Sequence, residues 1–336
     1  MRNSCQQVEG RFPKSGASFF IAQIRRKGSC IMTKQEFYNK VAEGLKEKLG
    51  QEVTIELQEV KKVNVSLDGV VIREKGCNIC PTIYLNPYFT EFNAGASMDD
   101  IIHEILTVYE KNQPDAIRNI FKAEDFYDFD KMREKIVLKV INAEKNADLL
   151  KHVPHLIMDE LGLAVVFYVE LGSDADGNAG ILIKNEHLNL WQADVSQLLS
   201  IAEQNTNRMH SFTIYNMFEM LKHTFGNMEM EFLEDELQDT TPVMYVLTDQ
   251  NNMFGASQLY LKDAIKEFAE NNDCDVYVLP SSVHELLLIR ADYPNMEPEF
   301  LKQMVCDVNR AEVSEADFLY DGAFKYVLKE DKIIAL

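Results

Sequence analysis

The sequence has few cysteines, a single tryptophan and no apolar run long enough to span a membrane. Six cysteines in 336 residues are too sparse for a disulfide scaffold. Because no secretory signal is recognisable either, we expect reduced thiols and a cytoplasmic location. No run approaches the roughly 20 apolar residues of a membrane-spanning helix, so we expect no membrane partner.

Basic residues are scarce as well. The chain has 34 Lys and Arg against 54 Asp and Glu, which gives a net charge of −20. A field of this sign repels phosphate backbones and anionic lipids, so nucleic acid is not an expected partner. The remaining composition, 46% hydrophobic and 10% aromatic, is that of a globular protein. A chain of this length can bury its own core in one large or two ordinary domains.

Composition changes along the chain predict its domains. Residues 1–31 carry six basic residues and a single acidic one, Glu9, and the balance reverses at Met32. We expect 1–31 to be a disordered extension that is not native, with Met32 as the true start, and a targeting or nucleic-acid-binding arm as the alternative. The acidic stretch at 227–241 predicts a linker or an exposed helix between two α+β regions, 32–226 and 242–336.

Periodicity and turn residues predict an α+β fold of largely antiparallel hairpins with packed helices, in one body or two subdomains. Thr33 and Glu36 have the spacing of a capping box at a helix start. Asp68-Gly69 indicates a hairpin turn between short strands. Parallel βαβ winding over 243–279 is the alternative. The predicted helices are 33–48, 97–111, 191–203, 212–225, 259–270 and 298–309, and the predicted strands include 53–57, 63–67, 70–74, 163–171, 180–184 and 243–247.

The stretch VYVLPSSVHELLLIR, from Val276 to Arg290, predicts the centre of a sheet. Its two apolar runs, 276–279 and 286–289, do not alternate with polar residues, which is typical of strands buried on both faces. Pro280 lacks a backbone N–H and therefore ends the first strand where the turn begins. We expect an antiparallel hairpin whose polar tip faces solvent.

The tip of this hairpin holds the catalytic candidates of the sequence. Ser281, Ser282, His284 and Glu285 are side chains of nucleophilic and acid–base chemistry. Residues this close in a hairpin rarely reach one another in attack geometry, and the Gly-x-Ser-x-Gly elbow is absent. We therefore interpret the tip as a structural turn, with a binding surface and a hydrolase-type site as alternatives.

Three motifs resemble metal sites without completing one. Cys77 and Cys80 have a spacing that lets two thiolates meet one ion, but no second pair supplies the remaining ligands; a redox motif is the other alternative. His103-Glu104 lacks the second histidine of a zinc-hydrolase helix, because Thr107 stands in its place. The polar loop at 172–178 lacks the frame of a calcium loop and predicts a hairpin turn. We expect no metal and no cofactor, with Cys77 and Cys80 as the metal candidates.

Four runs of the sequence resemble a family of uncharacterised bacterial proteins that is known only as a domain of unknown function. The runs are LPSSVHE, which contains the tip, PTIYLNPYF at 81–89, LAVVFYVEL at 163–171 and VNRAEV at 308–313. The resemblance covers about 33–328. It implies a bacterial, intracellular protein and carries over no catalytic or ligand residue.

Two classes of function remain open. The sequence has no glycine-rich phosphate loop, complete metal set or nucleophile elbow, and the chain is acidic. These features favour a non-enzymatic cytoplasmic protein that binds or regulates a protein or a small molecule. The alternative is a hydrolase-type enzyme that uses Ser281, Ser282, His284 and Glu285.

Overall fold

The computed structural model describes residues 32–74, 82–111, 123–174, 177–219, 242–294 and 296–336. The chain divides into two compact units. The first comprises Met1–Lys62, Ser66–Asp128 and Glu170–Ile181, and the second Val63–Val65, Phe129–Val169 and Leu182–Leu336. The extension at 1–31, the pair Cys77 and Cys80 and the linker at 227–241 lie outside the described residues. The division into regions 32–226 and 242–336 stays a prediction.

The first unit contains a three-stranded antiparallel sheet in the order β1-β2-β3. Its elements are α1 (Lys34–Leu49), β1 (Val53–Lys61), β2 (Ser66–Glu74), β3 (Thr82–Tyr84), α2 (Asn86–Ala94), α3 (Met98–Lys111) and a 3-10 turn (Ala123–Tyr127). Thr33 and Glu36 form the predicted capping box, in which the Thr33 N–H donates to Oε2 of Glu36 at 2.8 Å. Phe37, Val41 and Leu45 are buried on the inner face of α1, which agrees with the predicted helical periodicity.

Strand β2 runs without a break through Asp68-Gly69, so the turn predicted there is wrong. Both residues are paired with β1 in the antiparallel ladder. Glycine suits position 69 for another reason, because a Cβ atom there would come too close to Cγ2 of Thr82 on the neighbouring strand. The chain reverses earlier, near Asn64, whose φ is +64°. Asparagine tolerates this left-handed conformation better than most residues.

A four-stranded antiparallel sheet follows. Its elements are α4 (Phe129–Met132), β4 (Ile136–Asn142), α5 (Ala147–Leu150), β5 (His155–Met158), β6 (Leu163–Asp174), β7 (Gly177–Leu182), α6 (Asn185–Trp191) and α7 (Val195–Met209). The strand order is β4-β6-β5, and β7 also pairs with β6. Strands β6 and β7 pair as the predicted hairpin, but they extend into 172–178 as far as Asp174 and from Gly177, and the two residues between them lie outside the described ones. Helix α7 lies against β4, where Oγ1 of Thr206 accepts from the Leu138 N–H at 3.0 Å.

The second unit contains a six-stranded antiparallel sheet. Its elements are β8 (Phe212–Asn216), β9 (Tyr245–Asp249), α8 (Gln258–Leu261), α9 (Asp263–Asn272), β10 (Val276–Pro280), β11 (Leu286–Arg290), α10 (Pro298–Ala311), β12 (Phe324–Val327) and β13 (Lys332–Ala335). The strand order is β13-β12-β10-β11-β9-β8. With three antiparallel sheets and packed helices, the protein is α+β as predicted.

The β10–β11 hairpin is central in this sheet, which confirms the main prediction from the sequence. The ladder ends at the pair of Pro280 and Leu286, so Pro280 closes its strand as expected. Val278 is 0% and Leu279 1% exposed. Since successive side chains of a strand point to opposite faces, both faces of the hairpin are covered. The tip itself is half-buried rather than fully exposed.

Two other predictions from the sequence are wrong, and a third holds only in part. Phe212–Asn216 is the strand β8 instead of the start of a helix, because pairing with β9 outweighs its local helix signal. The helix predicted at 259–270 is two helices, interrupted by Lys262 with a φ of +68°. The alternative of βαβ winding over 243–279 is met only in part: β9 and β10 run parallel, because both are antiparallel to β11, but β11 lies between them and they form no parallel ladder.

His187, in the first turn of α6, makes the stability of the second unit depend on pH. Its Nδ1 accepts a hydrogen bond from the Lys184 N–H at 3.1 Å, which requires an unprotonated nitrogen. Burial lowers the pKa of His187 from 6.5 to about 4, against the opposing effect of Glu186. The neutral ring therefore stabilises the fold above pH 6.5, and this stability is lost as the pH falls from 6.5 toward 4.

We expect this contribution to reach roughly 3 kcal/mol, because each unit of pKa corresponds to about 1.4 kcal/mol. The measurement is the free energy of unfolding in urea for the wild type and for His187→Gln, between about pH 7 and pH 4. The stability difference between the two proteins should shrink as the pH falls. A difference that stays constant across this range would contradict the role of His187.

Candidate functional site

The tip of the central hairpin, Ser281–Glu285, meets two irregular segments at one end of the six-stranded sheet. One is the loop after β9, residues 250–255, and the other is the turn after α10, residues 312–317. The Gly255 N–H donates to the carbonyl of His284 at 2.8 Å, and the Val283 N–H donates to the carbonyl of Asp317 at 2.9 Å. Segments that are distant in the sequence therefore surround the predicted candidates.

The two serines of the tip close the turn. Oγ of Ser281 donates to Oε1 of Glu285 at 3.0 Å, which spans the base of the turn. Oγ of Ser282 accepts from the His284 N–H at 3.0 Å, and the Ser282 N–H donates to the carbonyl of Glu285 at 3.2 Å. Such side-chain to backbone bonds are what serine contributes to turns. The structure thus brings all four candidates together, with the hydroxyls engaged in the turn.

The imidazole of His284 cross-links the two irregular segments. Its Nδ1 lies 2.9 Å from the carbonyl of Met253, and its Nε2 lies 3.2 Å from Oδ1 of Asp317. The hydrogen bond from His284, with that from Ser314, holds the pKa of Asp317 below 3.8 against the effect of burial. Both ring nitrogens therefore have partners other than the hydroxyls of the tip. Neither nitrogen is hydrogen-bonded to Oγ of Ser281 or Ser282, as the base that activates a serine nucleophile would be.

A second histidine–aspartate pair lies beneath the loop at 250–255. Nδ1 of His210 is 2.7 Å from Oδ2 of Asp249, and their side chains are 1% and 0% exposed. Oδ1 of Asp249 accepts from the N–H groups of Asn251 at 3.1 Å and Met253 at 2.7 Å. Burial alone would raise the pKa of Asp249, but these hydrogen bonds outweigh burial and lower it. The carboxylate therefore shapes the loop that presents the Met253 carbonyl to His284.

Aromatic rings complete the surroundings of this loop. The ring of Phe254 stacks on His210, with centroids 3.8 Å apart and an interplanar angle of 27°. Nζ of Lys139 lies over the same ring, 4.9 Å from the centroid of Phe254, and it also lies 4.6 Å from the ring centroid of Tyr168. Lys139 also helps to lower the pKa of Asp317. A cation held between two aromatic faces is a stable arrangement even when it is partly buried.

Asparagine side chains hold the segment that carries Asp317. Nδ2 of Asn64 donates to the carbonyls of Ala316 at 2.9 Å and Phe318 at 2.6 Å. Nδ2 of Asn142 donates to the carbonyl of Leu319 at 3.0 Å, and Nδ2 of Asn309 donates to the carbonyl of the following residue, Tyr320. An irregular backbone has no ladder partners, so these amides satisfy its carbonyls. The result is a fixed position for Asp317 beside His284.

Most of this network was missed from the sequence. His210, Asp249 and Asp317 carry no local motif, and their partners become visible only in the tertiary structure. Lys139 is the exception, because one lysine within the otherwise apolar run IVLKVI of strand β4 is a signal that sequence alone provides. Asn309 lies in the run VNRAEV, one of the four runs that carry the family resemblance.

The remaining candidates do not join this cluster. Cys77 and Cys80 lie outside the described residues. His103 is exposed on α3. Within the described ranges, no three or more His, Cys, Asp or Glu side chains are grouped to hold a metal ion. Among the described helices, none combines the length and the apolar character needed to cross a bilayer.

The fold and the tip define an α+β protein of two units, in which serine, histidine and aspartate side chains hold three chain segments together. The chain belongs to the family described as Family of unknown function (DUF5688), whose model matches residues 34–327. The match confirms membership of a family of unknown function over nearly the length predicted. No curated protein and no solved structure gives a significant match to the chain.

Proposed function

We propose that this chain is a non-enzymatic binding protein of the bacterial cytoplasm, with a protein or a small molecule as its partner. The observation that carries the proposal is His284, whose two ring nitrogens are engaged by Met253 and Asp317. A general base needs a free nitrogen within reach of the nucleophile. The hydroxyls of Ser281 and Ser282 are turned instead toward Glu285 and the His284 N–H.

The net charge of the chain supports a partner with basic groups, and its free thiols support a reducing, cytoplasmic location. The net charge of −20 disfavours nucleic acid and favours a partner with basic groups. Cys274 and Cys306 are free thiols, in keeping with a reducing compartment. The alternative remains a hydrolase-type enzyme at the tip. It differs from the binding function in predicting a serine that is activated for nucleophilic attack.

Labelling with a fluorophosphonate probe separates these two functions. An activated serine attacks the phosphorus, fluoride leaves, and the phosphonyl group stays on the protein as added mass. We expect intact-mass spectrometry of the full chain to detect no adduct under conditions that label a control serine hydrolase completely. An adduct mapped to Ser281 or Ser282 that disappears in His284→Gln would overturn the binding function in favour of the enzyme.

A further inference from the structure

A groove of about 550 Å³ lies between β8 and α9. Its apolar lining comes from Phe212, Ile214, Tyr245 and Phe268. The rings of Tyr245 and Phe268 meet edge to face, with centroids 4.9 Å apart and an interplanar angle of 61°. These packed rings form a firm wall, and the volume is within the roughly 300–1,000 Å³ of binding pockets. The groove therefore has room for a few side chains of a ligand.

The groove follows the edge of the six-stranded sheet. Strand β8 is last in the sheet order, with β9 on one side and no further strand among the described residues on the other. Phe212, Thr213 and Ile214 all line the groove, although successive side chains of a strand point to opposite faces. The groove thus runs along the strand itself. The outward N–H and C=O groups of an edge strand are a template for an added strand.

The rim of the groove is acidic. Glu219 and Glu267 line it and are both exposed, and none of the described lining residues is basic. Carboxylates without a basic neighbour in the lining attract a cationic group from the partner. The acidic stretch at 227–239 of this chain contains no basic residue, so its charge is wrong for this groove. Charge complementarity therefore points to a separate, basic partner.

We propose that this groove binds an extended segment of a partner protein in which apolar and basic side chains alternate. The inference rests on the proposed binding function and specifies the chemistry of its partner. An added strand would pair with β8 through its backbone. Its side chains would face the aromatic wall and the acidic rim in turn, because successive residues of a strand point to opposite sides.

Fluorescence anisotropy with the full chain tests this proposal. The probe is a fluorescein-labelled octapeptide in which valine and lysine alternate, and the matched probe has glutamate in place of lysine. We expect the lysine peptide to bind at least about tenfold more tightly than the glutamate peptide, and its affinity to fall as salt screens the charges. Amide hydrogen exchange at 212–216 should slow on addition of the lysine peptide, because an added strand protects the edge.

Charge reversal at the rim provides the matched variants. We expect Glu219→Lys combined with Glu267→Lys to weaken binding of the lysine peptide by at least about tenfold. Glu270→Lys is the control, because Glu270 is an exposed residue of the same helix as Glu267 but does not line the groove. It should change the affinity less than about twofold. If the double variant fails to fold, protection of the amides at 212–216 of the wild type on addition of the lysine peptide decides whether the groove binds the peptide.

The outcomes distinguish the groove from the function. Three results would contradict the proposed binding of a basic segment in the groove. They are absence of lysine-peptide binding, equal binding of the two peptides, and binding without protection of 212–216. Binding that persists unchanged in the folded double variant would also overturn it, while leaving the binding function itself untouched. Fluorophosphonate labelling of a tip serine would instead overturn the function on which the groove rests.

Discussion

Replacing Asp249 by alanine is expected to lower the free energy of unfolding by about 4 kcal/mol, since each buried donor left without its acceptor costs about 1–3 kcal/mol and this carboxylate serves three donors. The carboxylate is 0% exposed. It accepts hydrogen bonds from His210 and from the N–H groups of Asn251 and Met253. Alanine removes this acceptor from all three donors and leaves a cavity. Urea unfolding at neutral pH measures the change.

The control for this variant is Asp292→Ala. Asp292 pairs with Arg290 at 2.6 Å but is 52% exposed, and exposed pairs contribute at most about 1 kcal/mol. Hydrogen exchange should also accelerate at the amides of Asn251 and Met253 in the Asp249 variant. Equal losses of stability in the two variants would contradict the role given to the buried pair.

The contribution of Asp249 to stability also depends on pH. Since the pKa of Asp249 is lowered in the folded protein, this contribution is present above pH 3.8 and is lost as the pH falls through the folded-state pKa.

Replacing Gly255 by alanine is expected to lower the free energy of unfolding by about 3 kcal/mol, which is the upper end of the usual cost of overpacking. The change should also separate the loop at 250–255 from the tip. A Cβ atom at 255 would lie 2.6 Å from the carbonyl oxygens of both His284 and Leu247, and 2.8 Å from Cα of Glu285. These are backbone atoms of the tip and of β9, whose positions are held by the β10–β11 hairpin and by the pairing of β9 with β11. Chemical denaturation reports the loss of stability, and hydrogen exchange across 281–285 reports the separation.

Gly95→Ala is the matched control for this second variant. Gly95 has a φ of +110°, but a Cβ atom there would meet nothing within 4 Å. The variant therefore suffers only backbone strain, which costs about 1–2 kcal/mol. If Gly95→Ala were the more damaging of the two, the close approach at Gly255 would not be what holds the loop against the tip.

Local signals account for the elements that the sequence predicted well. The capping box of Thr33 and Glu36 acts over one helical turn, and Pro280 acts on its own strand. The apolar runs of the central hairpin are separated by a short polar turn, so their pairing needs no distant information. For each of these, the residues that make the structure are neighbours in the chain. Short-range patterns determine such elements before any tertiary contact forms.

The wrong predictions share the opposite cause. Gly69 resembled a turn residue, but its role is to let Thr82 of the next strand approach. Phe212–Asn216 resembled a helix, but its structure is set by a ladder with β9. In both cases a partner across the sheet outweighs the local preference, as strand propensity depends strongly on context. Sequence periodicity carries no record of that partner.

The candidate site divides in the same way. From the sequence alone came the hairpin, the position of its tip and the four polar side chains that the tip carries. The partners that decide what those side chains do came from the tertiary structure: Met253 and Asp317 for His284, and the His210–Asp249 pair below. Sheet order and the asparagine contacts bring them within 3.2 Å. The physical reason is range, because backbone propensity and polarity act over a few residues, whereas a hydrogen bond forms only after the fold has brought distant segments together.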